Sequence, residues 1–141
     1  MSTTLEWPSF YLMRAVIREH GARWQAALPQ LTRPQYAALR VIDADPDIEQ
    51  AELGQVISTD KATLAGVLLR LEKAGLIART PDSDDRRRRR IRLTDDGELA
   101  LSSADKVVGE INSGMLSRLT DDEQRQLHQL LTDMVERHDA D

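Results

Sequence analysis

The chain has 141 residues, no cysteine and a formal net charge of -5. That length suits one domain, or one domain with an oligomerisation element, and is enough to bury a core. The absence of cysteine excludes disulfides, thiolate metal sites and thiol-based redox sensing, and no apolar run reaches the length of a membrane span. The N-terminus lacks a basic segment followed by an apolar run, so no signal peptide is expected, and a reducing cytoplasm is the expected location.

In chain order, the first expected element is a helix from Leu5 to Leu28, with Leu12, Ala15, Val16, His20, Trp24, Ala27 and Leu28 at helical spacing. Pro8 is expected in its first turn, where the missing N–H costs nothing. Both tryptophans, Tyr11 and the only phenylalanine, Phe10, lie in this segment. Such an aromatic concentration reads first as a dimer or core contact and second as a ligand-pocket wall. Pro29-Gln30-Leu31 breaks the helix, and Thr32 with Gln35 three residues on forms a capping box that opens the next. Tyr36, Leu39, Val41 and Ile42 give that helix its apolar face, and it ends near Pro46. Asp47-Ile48 is a connector. A short helix follows over Glu49–Ile57, with Ala51, Leu53, Val56 and Ile57 inward, and Gly54 suggests close packing against the next helix.

The segment from Ser58 to Thr94 organises the rest. Leu64, Val67, Leu68, Leu71 and Ala74 form one apolar stripe, while Lys61, Thr63, Gly66 and Arg70 face the other way. Gly75 sits where a helix stops in a left-handed residue. Leu76–Thr80 reads as a strand, broken by Pro81 and the Asp/Ser turn after it. Five consecutive arginines, Arg86 to Arg90, precede a return strand through Ile91, Arg92 and Leu93. Arg89 either starts that strand in an exposed position, the favoured reading, or marks a bulge. Residues 58–94 hold ten bases against five acids, and the remainder nine against nineteen. One basic module in an acidic body fits a protein that meets a polyanion with a single face. The helix, turn, helix and basic-tipped hairpin make a winged helix-turn-helix, in which the second helix enters the major groove and the hairpin reaches flanking backbone or minor groove.

Beyond the hairpin, Thr94-Asp95-Asp96 opens a long helix with acids at its positive end. Leu99, Ala100, Ser103, Val107, Ile111, Gly114 and Met115 are its expected stripe. Thr120 and Glu123 form a second capping box before a final helix with Leu127, Leu130, Leu131, Met134 and Val135 on one side, and His138 to Asp141 are expected to fray. A two-helix arm cannot bury such stripes alone, so the terminal helices are expected to pack against a second subunit.

The chain resembles the MarR family of transcriptional regulators. The resemblance rests on Leu31-Thr32-x-x-Gln35-Tyr36-x-x-Leu39, Ala51-Glu52-Leu53-Gly54, Ala62-Thr63-Leu64 and Leu71-Glu72-Lys73-x-Gly75-Leu76-Ile77-x-Arg79, and most on Asp84-Asp85-Arg86-Arg87 leading to Leu93-Thr94-x-x-Gly97. It implies a mainly α fold: a winged helix-turn-helix DNA-binding lobe over 31–94, with helices of 1–30 and 95–141 forming a dimerisation lobe. It further implies a homodimer on a palindromic operator in double-stranded DNA, usually a repressor released by a small aromatic or anionic effector. By position, Thr59, Asp60, Lys61, Thr63, Ala65 and Gly66 fall where the family touches bases or phosphates, and Arg70 where a phosphate contact fits. Asp85 and Arg87 match the wing motif, with the arginine approaching the minor groove and the aspartate orienting it. Arg86 and Arg88 are further tip residues. Gly66 departs from the family, which often carries a basic side chain there. Phe10, Tyr11, Arg14, Trp24, Tyr36 and Arg40 are the implied effector wall. His20, with Arg14 or Arg40, is a candidate anion contact.

The rival reading is a winged-helix protein-interaction module without operator binding; such an adaptor has no need of an arginine-tipped hairpin. No enzyme constellation, metal-ligand spacing or cofactor motif is present, so neither catalysis, a metal nor a cofactor is expected.

Overall fold

A computed structural model gives the structure, which describes residues 2–57, 59–81, 84 and 89–140, with only the backbone at 2–7, 89 and 137–140. Among these the chain forms α1 (Ser2–Ala27), α2 (Arg33–Ala44), α3 (Gln50–Val56), α4 (Lys61–Lys73), β1 (Ile77–Pro81), β2 (Arg89–Leu93), α5 (Asp95–Leu116) and α6 (Asp121–Ala140). The mainly helical fold with one small hairpin is the winged helix-turn-helix expected above. None of the described helices is long and apolar enough to cross a membrane. By packing the chain divides into two units, residues 21–108 and residues 1–20 with 109–141, and the divisions fall inside α1 and α5.

The larger unit holds nearly all of the core. Leu39 and Ile42 of α2, Leu53 of α3, Leu64, Leu68 and Leu71 of α4 and Ile91 of β2 are its largest fully buried side chains. α2 and α4 begin or end for legible local reasons. Thr32 caps α2 reciprocally: the Gln35 N–H donates to its hydroxyl at 3.2 Å, and the Thr32 N–H to Gln35 Oε1 at 3.0 Å. Asp60 caps α4 by accepting from the Thr63 N–H at 2.8 Å. At the other end Gly75 has a φ of 78°. Its N–H donates to the Glu72 carbonyl and that of Leu76 to the Leu71 carbonyl, the paired closure of a left-handed stop. Ala74, expected in the stripe, is the exposed C-cap instead. The α3 pattern also differs. Leu53 and Gly54 are buried, whereas Ala51 and Val56 are exposed. A Cβ on Gly54 would lie 3.2 Å from the Leu64 side chain and 3.4 Å from the Thr59 carbonyl, so the glycine lets α3 seat on the residues leading into α4.

β1 and β2 pair antiparallel in unbroken register from Ile77–Leu93 to Pro81–Arg89. Arg89 therefore starts the strand, and no bulge interrupts the described pairs. Pro81, expected to break the strand, is instead the last residue of β1, at a strand end where its missing donor is tolerated. Where the hairpin returns, the Thr94 hydroxyl donates to the Gly75 carbonyl at 2.6 Å and accepts from the Gly97 N–H at 3.0 Å. A Cβ on residue 97 would fall 2.0 Å from the Leu76 carbonyl oxygen, so only glycine lets α5 start there. The α5 stripe is offset from the expected one: Leu101, Ala104, Val108 and Ile111 are buried, Leu99 is 67% exposed, and Ser103 is exposed. The flanking Ala100 and Val107 are only half-buried. A helical stripe more than two residues wide admits several phases, and packing picked one.

In the smaller unit Pro8 lies in the second turn of α1, because the helix begins at Ser2 and not at Leu5. Thr120 and Glu123 form the second capping box, and α6 runs on to Ala140. Arg118 pairs with Glu19 at 2.9 Å, and Arg125 with Asp122. Among its described residues Ile111 alone is a buried hydrophobic side chain.

Candidate nucleic-acid interface

The exposed side of α4 is made by its sequence period. The four buried residues Leu64, Val67, Leu68 and Leu71 leave Lys61, Ala62, Thr63, Ala65, Leu69 and Arg70 exposed, with Gly66 half-buried. Thr59 precedes the helix and donates its N–H to the Gly54 carbonyl at 2.9 Å, so it helps set the turn between α3 and α4. Asp60 is bound inward to its own helix. Besides the Thr63 N–H, its carboxylate accepts the Thr63 hydroxyl at 2.9 Å. Those bonds, the backbone N–H first, hold the Asp60 carboxyl below its usual range. Lys61, one residue on, is exposed, as is Arg70 on the last turns. Space around Gly66 is open: a Cβ there meets nothing within 4 Å. Ala62, Ala65 and Gly66 make a small-residue floor, bordered by Leu69 at 45% exposure. A backbone so uncovered can approach a groove closely, and an apolar Leu69 suits contact with a thymine methyl. A cleft of about 330 Å³ lies between α3 and the start of α4, lined by Gln50, Gly54, Gln55, Thr59, Lys61 and Leu64.

The wing's stem is tied to this helix pair. Arg79 of β1 donates from Nε and Nη2 to the two oxygens of Glu72 on α4, both at 3.3 Å. Arg92 of β2 donates to both oxygens of Asp47, in the loop between α2 and α3. Of the expected wing residues, Asp85, Arg86, Arg87 and Arg88 lie outside the described residues.

A model of the MarR family matches residues 31–88. The transcriptional regulator HosA of Escherichia coli O157:H7 is 41% identical over 132 residues, covering 94% of this chain and 98% of HosA. The chain belongs to the MarR family. Among solved structures, that of Bordetella bronchiseptica BpsR, whose DNA binding is regulated by 6-hydroxynicotinic acid, superposes with a TM-score of 0.83 at 26% identity, covering 89% of this chain and 91% of BpsR. The S. aureus MepR–DNA complex gives 0.81 at 25% identity over 90% of this chain and 96% of MepR. This MarR-family chain is thus a transcriptional regulator with the winged DNA-binding fold, and its relatives are regulators and not enzymes.

The implied effector residues divide between the two packing units. In the larger one, Trp24 is buried, donates its indole N–H to the Leu31 carbonyl at 2.6 Å, and meets Tyr36 edge-on with ring centroids 5.4 Å apart. The Tyr36 hydroxyl donates to Asp105 Oδ1 at 2.5 Å, and Arg40 donates to the same oxygen at 3.1 Å. Burial, followed by the neighbouring carboxylate, pushes the Tyr36 hydroxyl above its usual range. In the smaller unit Phe10, Tyr11 and Arg14 are exposed, and His20 pairs with the Asn112 side chain at 2.8 Å. Sequence reading missed Asp105, Asp47 and Leu69. Asp105 stands on the helix whose phase was misjudged. Asp47 gave no signal beyond a turn. Leu69 lay between two stripes, and only the burial of its neighbours reveals it as exposed.

Proposed function

We propose that the protein is a ligand-released repressor that binds a palindromic operator as a homodimer. The observation that supports this best is the exposed face of α4, small and cationic, beside a hairpin whose sequence carries five consecutive arginines. Two copies of that face, related by a two-fold axis, would enter successive major grooves about one helical turn apart, with Lys61 and Arg70 at phosphates. Thr63, Ala65 and Gly66 would meet base edges, and Arg86, Arg87 and Arg88 the flanking minor groove, with Asp85 orienting Arg87. Thr59 and Asp60 act by shaping the entry to the helix. The effector is a small aromatic carboxylate, bound where Trp24 and Tyr36 offer ring faces and Arg40 a guanidinium. It releases DNA only if it prefers the arrangement of the two recognition helices that does not fit the operator.

Fluorescence anisotropy on duplex DNA from upstream of the gene tests this. Specific binding is expected, weakening by roughly a hundredfold or more between about 50 and 200 mM salt, because several phosphate contacts release counterions. Replacing Arg86, Arg87 and Arg88 by alanine is expected to flatten that slope. A flat salt response in the unaltered protein, or unchanged binding in the triple variant, would overturn the assignment.

A further inference from the structure

Asp47 is the one non-glycine residue with a positive φ, 72°, among the described residues. Left-handed backbone is uncommon for side-chain-bearing residues, though aspartate tolerates it better than most. Held this way, Asp47 makes three bonds to β2. Its N–H donates to the Ile91 carbonyl at 3.1 Å. Its Oδ1 accepts from Arg92 Nε at 3.0 Å and its Oδ2 from Arg92 Nη2 at 2.8 Å, a fork-on-carboxylate pair. The next residue, Ile48, is buried, and Ile91 is fully buried. The loop ahead of α3 is therefore anchored to the strand that leads out of the arginine run. The opposite strand is anchored to α4 through Arg79 and Glu72, with Gln50 at 3.5 Å from the same guanidinium. Both strands of the wing are thus bolted to the helix-turn-helix by two-point arginine contacts.

We infer that Asp47 is a positioning residue for DNA recognition: by clamping Arg92 it fixes the angle at which the arginine-bearing hairpin leaves the helix-turn-helix. This rests on the DNA-binding reading above. The two physical effects of Asp47 have opposite signs. As a negative charge near a polyanion site it weakens binding to any duplex, so simple Coulomb reasoning makes its removal tighten binding everywhere. As a clamp it aligns wing and recognition helix, so its removal costs affinity only for the operator, where both must engage at once.

The full chain is measured by anisotropy against its upstream operator and a shuffled duplex at one salt concentration, as wild type, D47N, D47G and R92K. Asparagine and glycine both accept the left-handed backbone, and lysine keeps the charge at 92 while losing the fork. Thermal unfolding is followed alongside. The expected result is a melting temperature within a few degrees of wild type, shuffled-duplex affinity unchanged or slightly higher for the Asp47 variants, and an operator-to-shuffled ratio about tenfold lower in all three. A ratio unchanged in the variants while the wild type discriminates overturns the clamp alone. Equal tightening on both duplexes overturns it as well. A wild type that does not distinguish the duplexes overturns the DNA-binding reading, and the clamp with it.

Discussion

Asp105 decides how the proposed effector contact works. One of its oxygens receives both the Tyr36 hydroxyl and the Arg40 guanidinium, so the partners that an aromatic carboxylate would seek are already satisfied by an internal one. An incoming anion must displace Asp105 or share its donors, and an exchange of one charge-assisted bond for another gains little. Asp105→Asn keeps the shape and removes the competing charge. It is expected to tighten binding of a simple aromatic carboxylate such as benzoate by about tenfold, read by titration calorimetry. Unchanged or weaker binding would show that Asp105 is no competitor.

Among the elements, α4 depends most visibly on its cap. Asp60 accepts from Thr63 twice, and its carboxyl is held below its ordinary value of 3.8 by those bonds. A depressed folded value means the stabilisation is complete above the unfolded value and is lost as pH falls through the folded one. Asp60→Ala is therefore expected to melt a few degrees below wild type at pH 7, with the two curves converging below about pH 4. Melting curves that stay parallel into acid would assign the loss to something other than the carboxylate. Much of this element was readable beforehand. The stripe of Leu64, Val67, Leu68 and Leu71, the Gly75 stop and both Thr capping boxes follow from spacing and local chemistry, which act within a few residues. The α5 phase, the exposure of Val56 and the partners of Arg92 were not readable. They are set by what packs or pairs across distances in sequence that periodicity does not encode. Arg79 shows the same limit, because its partner Glu72 lies on a different element, α4.

At the scale of the whole molecule, the unit of residues 1–20 and 109–141 has almost no core among its described residues. Leu12, Val16 and Ile17 on α1 are 55–60% exposed, and Leu130, Met134 and Val135 on α6 are 51–62% exposed. Apolar surface of this kind is unfavourable in water and marks an association site. Light scattering is expected to report a mass of two 15.9 kDa chains at micromolar concentration. Val16→Asp with Leu130→Asp is expected to abolish the dimer and weaken operator binding at least tenfold, since one half-site contact is then lost. A monomeric wild type would remove the basis for a palindromic site.

The contact between Gly97 and the Leu76 carbonyl carries a mechanical consequence. Main chain touches main chain there, with no side chain between to flex or change rotamer and absorb a push. Thr94 pins the same spot to Gly75 at the C-terminal end of α4. A tilt of the first turn of α5 would therefore press directly on the backbone that follows α4, with no rotamer change available there to take it up.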